Sequence, residues 1–293
     1  DFTSEEYKYL TQNSSYKSKS YSQFGYMEGS YEIDTLNLIT FSGNLFGYGT
    51  ESNSLGTTKM MNAQRQHAYS YNLISQSENS STHFNANFDY QHSFKKKGEY
   101  LTFSYRYGSS PNASESHTDY DDIKDYPYDA SYLFNQFYDN EARTDEHIFQ
   151  LDYTNPINKV HSIDFGGKYI LRNNKSESDY FKRSVTSNDY YLDERPESYY
   201  QQIHHIASAY ADYMVKTKKV SAKAGVRYEH TFSDVKYEKM PERNFDAGFD
   251  NLVPSFRVGY QLAPSKMLSL SYQMRISRPN INLLNPFRNT SNP

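Results

Sequence analysis

Between Ser110 and His147 the chain carries ten acids, Glu115, Asp119, Asp121, Asp122, Asp125, Asp129, Asp139, Glu141, Asp145 and Glu146, against Lys124 and Arg143, a local charge of −8. Aromatic residues are interleaved with them: Tyr120, Tyr126, Tyr128, Tyr132, Phe134, Phe137 and Tyr138. Flat rings bury area with little rotamer entropy to lose, so such rings suit stacking on sugars or packing on a hydrophobic cargo. Tyr120, Asp121, Asp122, Asp125, Tyr126 and Tyr128 are therefore the candidate ligand-binding residues. The acids between Asp119 and Asp129 lack the glycine and closing Glu of an EF-hand loop. A solvated acidic loop is their simplest reading, and no metal site is assigned.

No second constellation competes. There is no Cys, no GxSxG, no HExxH and no phosphate-cradling glycine loop, so nucleophile, zinc and nucleotide chemistry fail at the first residue type. His204 and His205 are adjacent, and adjacent strand residues point to opposite faces. The chain thus reads as a non-enzyme without a cofactor. Thirty-one Lys and Arg against 35 Asp and Glu give a net charge of −4, which disfavours nucleic acid as a partner. No apolar run approaches the roughly 20 residues of a membrane helix. Yet Tyr 31 and Phe 18 make a 17% aromatic fraction, the opposite of a disordered composition.

The elements that must carry these residues are strands. From Thr82 to Phe94, Phe84, Ala86, Phe88, Tyr90, His92 and Phe94 alternate with Asn85, Asn87, Asp89 and Gln91; after Lys95 to Gly98, Leu101, Phe103, Tyr105 and Tyr107 resume opposite Thr102, Ser104 and Arg106. Hairpins recur around Pro156 to His161, Lys216 to Lys219 and Ala263 to Lys266, and a less clearly phased one joins Tyr21 to Ile33 with Leu36 to Gly49. About ten strands follow from this alternation. Short turns near 34, 96, 158, 217 and 264 fall on one rim, several of them rich in lysine; the segments near 50–80, 110–144, 173–200 and 240–250 read as long polar loops on the other. The chain opens at Asp1 without an initiator Met and stops in a polar stretch at Pro293, so it reads as a piece of something longer.

A soluble β-sandwich alternates in the same way, and periodicity alone does not separate it from a membrane barrel. Three features favour lipid: runs of about 11 to 13 residues where membrane strands need about 9 to 11, the one-sided loops, and tyrosines suited to interfacial girdles. The fold class expected is all-β, an incomplete antiparallel up-and-down transmembrane β-barrel segment of about ten long strands, with 1–293 forming part of a single outer-membrane barrel domain.

The end of the chain sharpens this. Val253, Pro254 and Ser255, then Leu270, Ser271 and Tyr272, then Arg275, Arg278 and Pro279, then Leu284, Asn285, Pro286 and Phe287 reproduce a "lvPs…lslsYs.ri.RP….LNPf" pattern. In this the chain resembles the barrel of TonB-dependent outer-membrane receptors, in particular the outer-membrane β-barrel family. The resemblance implies the outer membrane of a Gram-negative cell and a barrel of about 22 strands with a plugged lumen. It also implies uptake of scarce nutrients such as an iron chelate, glycan or peptide. The implied partners are outer-membrane lipid, the cargo, and a TonB-type energy-coupling protein acting through a plug domain that has no counterpart in these residues. The alternative is a surface binding or adhesion barrel, or a small pore, that is not coupled to TonB. An incomplete barrel predicts that the first and last strands, Tyr21 to Ile33 and Lys266 to Ser277, do not pair with each other.

Overall fold

A computed structural model describes residues 7–193 and 199–277. Eleven antiparallel strands form one sheet: β1 (Tyr9–Asp34), β2 (Asn37–Met61), β3 (His67–Ser93), β4 (Tyr100–Lys124), β5 (Phe134–Pro156), β6 (His161–Ser184), the two-residue β7 (Tyr191–Leu192), β8 (Tyr200–Lys216), β9 (Val220–Tyr237), β10 (Phe245–Ala263) and β11 (Lys266–Gln273). Apart from β7, which pairs with β6, strand order follows chain order, and β1 and β11 do not pair with each other. The sheet is an open arc, as an incomplete barrel requires.

Two expectations need correction. The segments read as long loops are largely strand: β2 and β3 meet across residues 62–66, β4 and β5 across 125–133, β9 and β10 across 238–244. β1 to β6 consequently run 23 to 27 residues, while β8 to β10 run 17 to 19. Polar Ser, Thr and Asn look like loop, but within a sheet ladder their backbone groups are paired on both sides and their side chains bond across strands. The last strand also ends at Gln273, short of Ser277.

Register settles the faces. Phe88 lies opposite both Phe41 and Tyr105, and Tyr90 opposite Ile39 and Phe103. Tyr105 and Phe103 continue to Phe149 and Leu151, then Tyr169 and Gly167. Asn87, Asp89, Arg106 and Thr102 share the other face. Phe88 and Phe103 remain 37% and 38% exposed, and among the described residues no second sheet covers them. A sandwich core is thereby excluded. The large buried residues Ile206, Thr231 and Val235 fall on the polar-rich face, which is the concave one. Each aromatic or aliphatic side chain of the convex band recovers about 1.5–3 kcal/mol when hydrocarbon replaces water.

The tight turns are built from local acceptors. Asp34 accepts from the amide of Leu36 at 2.8 Å, Asn158 from those of Val160 and His161 at 2.8 and 3.0 Å, and Thr217 from that of Val220 at 2.9 Å. Gly98 takes φ +82°, which only glycine adopts without strain. These turns lie on one rim. The connections at 62–66, 125–133 and 238–244 and the residues that follow β6, 185–190, lie on the opposite rim, with the strand extensions.

Candidate functional site

Above the apolar band, strand alternation sets an uncharged polar row on one face beside a charged row on the other. On the concave side Ser20, Thr50, Asn79, Ser114, Asn140 and Ser178 stand directly opposite one another across β1 to β6. Ser20 and Thr50 hydroxyls meet at 3.0 Å, Ser114 donates to Asn79 Oδ1 at 2.6 Å, and Ser178 donates to Asn140 Oδ1 at 2.7 Å. One residue away on every strand, the convex side carries Lys19, Glu51, Glu78, Glu115, Asp139 and Asp179 in register. The concave rows on either side are equally free of charge. They read Ser22, Tyr48, Ser81, Asn112, Ala142, Ser176 and Ser18, Ser52, Ser77, Ser116, Tyr138, Tyr180. Nearer the tip Lys182 breaks the pattern, and Asp193 lies 2.9 Å from its ammonium.

Tyrosines give this wall its aromatic surface. Tyr138 and Tyr180 are paired with centroids 4.8 Å apart, and Tyr200 and Tyr237 with centroids 6.1 Å apart. At the β3–β4 end Tyr71 meets Tyr120 at 5.4 Å, Tyr69 meets Tyr126 at 5.5 Å, and Tyr128 adds to Tyr126 at 5.7 Å. The Tyr120 amide is held by Asn135 Oδ1 at 2.8 Å. Burial, then the neighbouring phenols, raises the Tyr69, Tyr120 and Tyr126 hydroxyls above their ordinary range; burial also raises Tyr138 and pushes Tyr200 up to about 12. At neutral pH these are uncharged groups that both donate and accept.

Lower on the concave face, level with the apolar band, the wall is ionic. Glu146 accepts from Arg172 Nε at 2.8 Å and from Arg106 at 3.3 Å, and Lys223 lies 3.2 Å from Asp212 and 3.9 Å from Asp164. Tyr210 donates to Asp152, which Gln150 also contacts at 2.7 Å. Pairing compensates charges that a hydrocarbon-level wall would otherwise leave costly.

The six candidate ligand residues are therefore divided. Tyr120 and Tyr126 join the cluster with Tyr128 at its margin. Asp121 pairs opposite Asn72 on the convex side, Asp122 bonds Lys124 at 2.9 Å, and Asp125 sits 3.5 Å from His67. Asp122, near the end of β4, and Asp125, in the connection after it, take φ +46° and +51°. The anionic loop expected here is mostly convex strand surface, since a strand cannot present neighbouring Tyr and Asp to one side. Tyr69, Tyr71, Tyr180, Tyr200 and Tyr237 escaped sequence reading; the signal was period-two alternation of charged and uncharged polar residues. His204 and His205 do face opposite ways: His204 is buried on the concave side, while convex His205 bonds Tyr169 at 2.7 Å. Among the described residues no three His, Asp or Glu converge on a metal-binding point. Of the motif residues, Arg275 follows β11, whereas Arg278, Pro279, Asn285, Pro286 and Phe287 lie outside the described residues.

Residues 92–293 match the model of the outer membrane protein beta-barrel family. No curated protein matches the chain. Solved structures similar to it include the unliganded ferric citrate transporter FecA, at 12% identity and TM-score 0.48 over 85% of this chain and 43% of that one. The ferric yersiniabactin uptake receptor FyuA from Yersinia pestis gives 10% identity and TM-score 0.41 over 87% and 45%. The translocator domain of the autotransporter NalP from Neisseria meningitidis gives 11% and 0.31 over 91% and 81%. The chain spans less than half the length of the first two. With TM-scores below 0.5 these likenesses identify neither cargo nor mechanism.

Proposed function

This chain belongs to the outer membrane protein beta-barrel family and resides in the outer membrane, and from that premise we propose that it forms part of the barrel wall of a TonB-dependent receptor for nutrient uptake. The open arc carries the reading: ten long strands without a seam belong to a larger barrel, and its concave face is divided into an ionic lower tier and an uncharged, tyrosine-rich upper tier. In this reading the upper tier meets cargo outside the membrane, because short turns mark the periplasmic rim of such barrels and the extended rim faces outward. The lower tier, with Glu146 between Arg106 and Arg172, faces the plug domain through which a TonB-type protein delivers energy.

The test uses the full-length protein in its native membrane. Cargo accumulation should stop when the proton gradient is collapsed or the energy-coupling protein is deleted, while surface binding persists. Accumulation that continues unchanged would mark a passive pore, and binding with no accumulation under any condition would mark an adhesion barrel.

A further inference from the structure

We infer that the cargo met by the upper concave wall is a neutral polyhydroxylated chain, an uncharged glycan; the assignment rests on the receptor reading for its premise that this wall meets cargo. The argument is one of charge. Three consecutive concave rows across six strands hold no carboxylate, ammonium or guanidinium, although the convex row beside the middle one, Lys19 to Asp179, holds a charge on every strand. An anionic cargo, a ferric chelate with free carboxylates for example, is captured by charge-assisted bonds from Arg or Lys. A cationic cargo needs carboxylates in the same way. This wall supplies neither, and the charges that would do it point to the other side of the sheet.

What the wall supplies fits sugars. Serine, threonine, asparagine and tyrosine hydroxyl or amide groups each donate and accept, matching sugar hydroxyls, which also do both. The half-buried rings of Tyr71, Tyr120, Tyr126 and Tyr138 offer flat apolar area for the C–H faces of pyranose rings, with buried Tyr180 backing Tyr138. Phenols are uncharged at neutral pH, and burial moves those of Tyr120, Tyr126 and Tyr138 further from ionising. Ser176, Ser178 and Tyr180 of β6 are buried, so the accessible rows run across β1 to β5, strands about 4.8 Å apart, an extent that suits an extended oligomer more than a single compact chelate.

The test is binding of the purified full-length receptor to an immobilised panel pairing neutral oligosaccharides with uronate and sulfated chains of equal length, with ferric citrate measured beside it. Neutral members should bind, with affinity constant within about twofold between 50 and 500 mM NaCl, because no ion pair is screened. Asn140→Asp, or Ser116→Asp should the first variant fail the heat-modifiability check for a folded barrel, should weaken neutral binding about tenfold by adding a charge that must be desolvated against the cargo. Asp139→Asn, one residue away on the convex side, should leave it unchanged. Preference for charged members, or no retention of any neutral oligosaccharide, overturns the assignment. Neutral binding without energy-dependent uptake leaves the assignment standing and removes the receptor reading; energised uptake of a ferric chelate with no glycan bound does the reverse.

Discussion

Replacing Glu78 by Gln should stabilise the extramembrane sheet, although it removes a charged surface residue. Glu78 stands directly opposite Glu51 on one side and Glu115 on the other, all three exposed on the convex face. Residues directly opposite in antiparallel strands have Cβ atoms about 4.5–5.5 Å apart, so each pair of unit charges costs about 0.8 kcal/mol in water. At physiological salt, with a screening length of about 8 Å, roughly half of that survives. Two neighbours then make Glu78→Gln stabilising by about 0.8 kcal/mol, with urea unfolding in lipid vesicles as the assay. The gain should shrink toward zero at 1 M NaCl, where screening reaches about 3 Å. A variant that is no more stable at low salt, or whose gain ignores salt, refutes the ladder of like charges as a source of strain.

Phe88→Arg on the convex band should cost about 2–4 kcal/mol in the same vesicle assay, while Thr102→Lys on the concave face should stay within about 0.5 kcal/mol. Gly98→Ala should cost about 1–2 kcal/mol, since φ +82° forces the new Cβ against the backbone; an unchanged urea midpoint would contradict this. Tyr200 is held protonated in the folded state up to about pH 12, whereas the unfolded phenol ionises near 10. Its share of stability is therefore complete below about pH 10 and lost between pH 10 and 12; Tyr200→Phe should flatten that decline, read by circular dichroism.

The apolar band was legible because it alternates strongly: Phe84, Phe88 and Tyr90 against Asn85, Asn87 and Asp89 declare both strand and face. The upper wall alternates just as strictly, with Glu78 beside Asn79, Ser114 beside Glu115 and Asp139 beside Asn140. Neither member of those pairs is apolar, so a search for hydrophobic periodicity passes over them and the run reads as loop. For the same reason Tyr120 and Tyr126 were found, but Tyr69 and Tyr71, their neighbours in space, lay in a segment taken to be structureless. The rims were legible from turn residues such as Asp34, Asn158 and Gly98, whose side chains or backbone freedom act locally. Cross-strand register, which brings Tyr138 to Tyr180, is set by pairing between distant parts of the chain.

That strand order follows chain order has a kinetic meaning. Every ladder joining the ten long strands links strands that are consecutive among them, so each new strand closes a loop no longer than one hairpin. Loop-closure entropy grows with length, and chains dominated by sequence-local contacts order quickly. The arc can therefore zip one hairpin at a time onto a growing edge, each step covering backbone groups that hydrocarbon would not tolerate unpaired. A seam joining first strand to last is the only pairing in a barrel that must span its whole sequence. Since β1 and β11 do not make it, the steps encoded by these residues are the fast ones, and the slow one belongs to closure.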